Sequence, residues 1–236
     1  MFSTLLLTSI ALSGGALAGS PGLVADPGAL ASLHTAYGVY SDGSYAGMVL
    51  FDGAAATEGG AVLVVRYVMA GQKDSAWIEG VTVDANGVVN QVVHREGRRM
   101  RTLSVQDDGS IHDVVTDGGE KGQVLSDQVL SDVHPPLSSP WLVASLLATT
   151  PASAGDEWHG TLLDGAVRGT ASASLTWRGR QSVGGGRKAD IAALTPVDGP
   201  ARTFVFTDQG VSAIALAGTT TQWVASSREE LLKAAR

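Results

Sequence analysis

From Tyr45 onward, apolar and polar residues alternate in short runs, each closed by glycine, asparagine or aspartate. A period of two puts successive side chains on opposite faces of an extended strand. The pattern predicts strands at Tyr45 to Phe51, Ala61 to Met69, Ala76 to Val83, Val88 to His94, Arg99 to Val105 and Ile111 to Val115. A second set follows at Trp158 to Leu163, Ala171 to Trp177, Lys188 to Leu194, Thr203 to Thr207, Val211 to Ala217 and Thr221 to Ala225. Asp84-Ala85-Asn86-Gly87, Asp107-Asp108-Gly109 and Asp117-Gly118-Gly119 supply the positive-φ residues that tight hairpins need, so the first set reads as an antiparallel meander. In Ala171 to Trp177, the residues Ala171, Ala173, Leu175 and Trp177 share one face and Ser172, Ser174 and Thr176 the other.

The period changes at Ser138, within the proline-bounded apolar stretch His134 to Leu147. Ser139 is a good N-cap, Pro140 suits the first helical position, and Trp141 to Ala148 carries a single polar residue, Ser145. A helix apolar on nearly all sides has to be buried. The expected architecture is therefore mainly β: a strongly curved antiparallel sheet or open barrel holding one buried helix at about 139–148. A short surface helix follows at the C-terminus, with Ser226 or Ser227 as cap and Glu229 and Glu230 in its first turn.

Residues 1–18 read as a secretory signal peptide, with an apolar run from Leu5 to Leu12 and a small-residue site ending at Ala18. No Lys or Arg precedes that run, which leaves an apolar strand or short anchor helix as the alternative. Residues 19–236 are then one β-rich domain, with a split near Thr149 to Gly155 as the other division. No other apolar run approaches the roughly 18 residues of a membrane helix. The expected location is secreted or periplasmic.

Composition narrows the chemistry. A net charge of -7 disfavours nucleic-acid binding, and the absence of cysteine excludes disulfides, thiolate metal sites and a lipoprotein thiol. His34, His94, His112, His134 and His159 lack the pairwise spacing of a local metal site. No nucleophile elbow, P-loop or dinucleotide fingerprint is present, and Gly184-Gly185-Gly186 reads as a hairpin turn. Neither a cofactor nor a catalytic residue is expected. A hydrolase built from distant strands around His134 or His159 stays open.

Two features suit binding. The run His94 to Arg101 holds Arg95, Arg98, Arg99 and Arg101 around a predicted turn; these side chains either grip an anionic group or form a solvated tip paired with nearby acids. Trp77, Trp141, Trp158, Trp177 and Trp223 are either ordinary core or the lining of an apolar cavity. If the sheet curls around the helix, Trp141 and Leu142 sit where such a cavity opens or is plugged.

The segment Ser139-Pro140-Trp141 to Ser145-Leu146-Leu147, then Gly155-Asp156, then the strands ending in Phe204-x-Phe206-x-Asp208-x-Gly210, resembles a family of uncharacterised secreted bacterial proteins. Their fold looks like the curled half-barrels of the lipoprotein carriers LolA and LolB. The likeness covers about the last 100 residues and implies an envelope or secreted location and an apolar cavity, with no catalytic residues. The expected function is non-enzymatic binding of an apolar or amphipathic ligand, a lipid for example, through Trp141, Leu142, Trp158 and the four arginines. The alternatives are a structural or protein-interaction β module, and the dispersed hydrolase.

Overall fold

The structure is a computed structural model, and it describes residues 25–72, 74–131, 133, 137–147, 153–166, 169–183, 187–197, 200–207 and 210–234. The signal segment, His134 and Gly184 to Gly186 lie outside the described residues. Helix α1 (Pro27–Ala31) leads into strands β1 (His34–Ser41), β2 (Ser44–Ala55), β3 (Ala61–Met69), β4 (Trp77–Val83), β5 (Val89–Glu96), β6 (Arg99–Val105), β7 (Ile111–Asp117) and β8 (Gln123–Leu130). The short β9 (Leu137–Ser138) and helix α2 (Pro140–Leu147) follow. The chain then forms β10 (Glu157–Asp164), β11 (Gly169–Ser182), β12 (Lys188–Pro196), β13 (Arg202–Thr207), β14 (Gly210–Leu216), β15 (Gln222–Ala225) and helix α3 (Arg228–Ala234).

All fifteen strands belong to one sheet, in the order β8-β7-β6-β5-β4-β3-β2-β1-β15-β14-β13-β12-β11-β10-β9. The chain meanders from β1 to one edge at β8, crosses to the opposite edge at β9, and meanders back until β15 pairs with β1. Every ladder is antiparallel except that of β9 with β10. Among the described residues no ladder joins β8 to β9, so the sheet is curved but not closed.

Register shifts interrupt five ladders, at Val39/Tyr40, Thr82/Val83, Val115/Thr116, Trp177/Gly179 and Val205/Phe206. Each extra residue bends its strand and increases the local twist, which is what a sheet this wide needs in order to curl. At the β11 shift the bulged strand takes φ +66 at Gly179, a conformation that costs glycine little.

One face of the curl is the core. Val49 and Phe51, Leu63 and Val65, Val81 and Val83, Leu162, Leu194, Phe204, Ile214 and Trp223 form a single cluster with Trp141, Leu142 and Val143 of α2. The expected buried helix is therefore present. Ser139 caps it, accepting the Trp141 amide at 3.3 Å, and the Val143 amide donates to the Ser139 carbonyl at 3.0 Å. The other face carries a second, smaller cluster, Ala36, Met48, Leu50 and Leu231, under α3. Of the two expected caps it is Ser227 that serves, in a capping box: the Glu230 amide donates to Ser227 Oγ at 3.2 Å and the Ser227 amide to Glu230 Oε2 at 3.2 Å. Among the described residues no helix is long and apolar enough to cross a membrane.

Candidate functional site: an aromatic and ionic cluster inside the curl

The first part of the site is a run of stacked rings. Trp141 lies between Trp77 of β4 and Trp223 of β15, with centroids 5.5 and 5.1 Å away and planes 23° and 12° apart. Phe51 of β2 meets it edge-on at 6.3 Å, and Tyr67 of β3 extends the run beyond Trp77 at 6.0 Å. Since β4 and β15 are separated in the sheet by β3, β2 and β1, one residue of α2 spans five strands of the concave wall. Offset stacking of this kind adds about 0.5–1.5 kcal/mol per pair to the burial of the rings. Above Trp141 lies the Arg202 guanidinium, 5.3 Å from the ring centroid, in cation–π geometry.

Arg202 begins the second part, four buried ionisable residues. Its Nη2 lies 3.5 Å from Asp164 Oδ2 at the end of β10, and His94 Nδ1 of β5 lies 3.1 Å from Glu79 Oε2 of β4. Glu79 and His94 are cross-strand partners, which fixes their approach. The β10–β11 turn reaches across the interior to meet them. A β-carbon at Gly165 would overlap that of His94, and one at Gly169 would lie 2.9 Å from Arg101 Nη2 and 3.2 Å from Asp113 Oδ2. Glycine at 165 is what allows the two halves of the sheet to close on the charges.

Burial pushes the Glu79 carboxyl up; the His94 hydrogen bond opposes this, the Asp164 charge adds to it, and the net direction is upward. Glu79 Oε1 and Arg202 Nε are buried with no hydrogen-bond partner. One acceptor and one donor are thus held ready inside the curl. A carboxyl whose folded pKa is raised favours the folded state fully below its ordinary value of 4.5 and loses that contribution as pH rises through the raised value. Glu79→Gln is therefore expected to flatten the fall in stability above about pH 5, read from urea midpoints across pH. An unchanged slope would mean that Glu79 is not the titrating group.

Of the residues singled out in the sequence, Trp141, Leu142 and Trp158 lie together in the core, Trp158 with an unpartnered Nε1. The four arginines divide. Arg95, Arg98 and Arg99 are exposed on the β5–β6 hairpin: Arg95 Nε donates to the Gly97 carbonyl at 3.2 Å, and Arg98, 82% exposed, lies 3.4 Å from Asp117. Arg101 points inward and holds Asp113 in a fork, Nε to Oδ1 at 2.8 Å and Nη2 to Oδ2 at 2.6 Å, while Gln128 Nε2 donates to the same carboxylate at 2.9 Å. Sequence reasoning missed Glu79, His94, Asp164 and Arg202 as a group, although Glu79 shares the face of Trp77, Val81 and Val83, and Arg202 that of Phe204 and Phe206. A charge on the apolar face of an alternating strand was the available signal.

The other described histidines make separate pairs: His34 with Asp52 at 3.3 Å, His112 with Asp127 at 2.7 Å and His159 with Glu157 at 3.3 Å. Among the described residues no three His, Asp or Glu side chains are grouped to hold a metal ion.

Fold and site together define a barrel-like, incompletely closed β protein with a helix packed into its concave face. The fold is similar to that of a β-barrel-like protein of a domain of unknown function, DUF1849, from Brucella abortus: TM-score 0.50, 12% identity, covering 82% of this chain and 94% of that one. At that identity the likeness is one of fold alone. No protein-family model matches the chain, and no curated protein matches it in sequence. What stands of the resemblance noted in the sequence is the curved, barrel-like sheet.

Proposed function

We propose that the protein is a non-enzymatic, exported envelope protein that binds an apolar or amphipathic ligand inside its curved sheet. The observation that carries this reading is the pairing of an aromatic wall with orphaned polar atoms. Trp77, Trp141, Trp158 and Trp223 supply apolar surface, while Glu79 Oε1 and Arg202 Nε are a buried acceptor and donor without partners. Leaving such groups unmade is costly, and the polar end of a ligand would satisfy them. The concave wall near Trp141 is filled by α2, so a ligand would enter by displacing that helix at the unjoined edges of the sheet. Export rests on the signal-like N-terminus and predicts a mature protein that begins at Gly19.

Native mass spectrometry of protein recovered from the envelope tests the reading, together with tryptophan emission as lysophospholipid is added. The expected result is a co-purifying amphipathic molecule and a saturable emission change through the stacked rings. A ligand-free mass with flat emission would overturn it.

A second reading, a β module that pairs with an extended segment of a protein partner, is favoured by the edge strand β8, which exposes Val124, Leu125 and Val129. Crosslinking at β8 to one stable partner, with lipids having no effect, would select it.

A further inference from the structure

A cleft of about 320 Å³ lies where β1 and β2 meet the ends of β13 and β14, at Thr207 and Val211, and the start of α3. Its apolar walls are Ala36, Tyr37, Leu50 and Val211, and its charged ones His34, Asp52 and Arg228. The Tyr37 phenol is committed: burial outweighs the Thr35 hydrogen bond and pushes it up to about 12, and its hydroxyl donates to the Val211 carbonyl at 3.2 Å.

Among the described residues the charges do not balance within the cleft. Asp52 Oδ2 is taken by the Arg66 guanidinium, which does not line the cleft and neutralises the carboxylate from outside. Asp52 Oδ1 faces His34 Nδ1 at 3.3 Å and Arg228 Nη1 at 3.6 Å, the latter beyond hydrogen-bond distance. One carboxylate thus faces two guanidiniums and an imidazole. Glu230, the nearby acid on α3, does not line the cleft, and its Oε2 is occupied by Ser226 and Ser227. Arg228, 55% exposed, and Nε2 of His34, whose side chain is 67% exposed, make no hydrogen bond to any described residue. A forked donor carrying a surplus charge therefore stands at the rim of a partly apolar cleft.

We propose that this cleft binds a small organic monoanion, a carboxylate on an apolar body, with Arg228 holding the charge and Ala36, Leu50, Tyr37 and Val211 holding the body. One surplus guanidinium matches one negative charge and presents the fork that a carboxylate accepts in two hydrogen bonds. The volume is that of a small-ligand site, at the lower end of the usual range. This site is separate from the interior one, and either can fail without the other.

The test is calorimetric titration of the full chain with three probes: octanoate, octanol, which has the body without the charge, and inorganic phosphate, which has the charge without the body. Octanoate is expected to bind roughly tenfold or more tightly than either of the others. Arg228→Ala should weaken octanoate by roughly tenfold, with an unchanged circular dichroism spectrum, and Arg228→Lys should keep part of the affinity. Equal binding of octanol would reduce the cleft to an apolar depression, and equal binding of phosphate to a surface cation. Either result, or an Arg228→Ala variant that binds octanoate as wild type does, overturns the proposal.

Discussion

Trp141→Ala is expected to destabilise the protein by about 3–5 kcal/mol, the range for deleting a buried indole that the surroundings cannot refill. Trp141 is buried, stacked against Trp77 and Trp223, and met edge-on by Phe51. Those three rings belong to β4, β15 and β2, whose backbones are held by ladders to their neighbours and do not collapse into the gap. Removal also takes the aromatic surface from under Arg202, whose Nε already lacks a partner. Since whole domains are stable by only about 5–15 kcal/mol, such a loss leaves little margin. Trp141→Phe should cost roughly half as much, because one ring still fills part of the stack. Trp177, only partly buried and packed on Phe206, serves as a control whose truncation should cost less. Equilibrium urea unfolding measures all three, and a loss below about 1 kcal/mol for Trp141→Ala would show that α2 is not wedged into the sheet as described.

How far these features were legible in the sequence depends on what carried the signal. Alternation bounded by turn residues located twelve strands closely; Ala61 to Met69 and Arg99 to Val105 fall at the residues expected. The buried helix and its Ser139 cap were readable because apolarity on all sides, a serine and a proline all point the same way. Four elements escaped, the two-residue β9 among them. In β1, the run His34 to Ser41 places Tyr37 and Val39 on the core face and Ala36 under α3, so both faces are partly covered and the alternation fades. In β8, Val124, Leu125 and Val129 lie exposed on an edge strand, so its hydrophobicity does not mark a face. Helix α1 is a single turn set by its Asp26 cap and Pro27, too short to show a period. The open, curved sheet was legible, but its strand order was not, since the crossover from β8 to β9 depends on tertiary packing.

The interior charges show the same limit in another form. Each sits on the apolar side of its strand: Glu79 beside Val81, His94 beside Val92, Asp113 between Ile111 and Val115, and Arg202 beside Phe204. One strand read alone gives such a residue no partner and makes it look misplaced. Glu79 meets His94, and Arg101 meets Asp113, only across neighbouring strands, and Arg202 meets Asp164 only once β13 and the end of β10 come together.

The arginine run, read in the sequence as a unit, is expected to split under mutation. Arg98→Ala and Arg99→Ala should each change stability by no more than about 0.5 kcal/mol, because exposed pairs are screened and gain little. Arg101→Ala should cost about 3 kcal/mol, the lower end for breaking a buried ion pair, since Gln128 still donates to the abandoned carboxylate. Asp113 is 1% exposed and Arg101 15%, so water cannot replace the fork. The pH dependence separates lost charge from lost packing. In the wild type, burial raises Asp113, but the hydrogen bonds from Arg101 and Gln128 and the charges of Arg101 and His112 outweigh it, and the net direction is downward. Such a group contributes stability above its ordinary pKa and loses it as pH falls through the lowered one. Without Arg101, burial dominates and the direction reverses, so the variant loses stability as pH rises instead. The gap between wild type and Arg101→Ala should therefore narrow from about pH 7 to about pH 4.5, whereas a defect of packing alone would leave it constant. Urea midpoints at the two pH values decide between them, and a constant gap would mean that the Asp113 charge is not what Arg101 sustains.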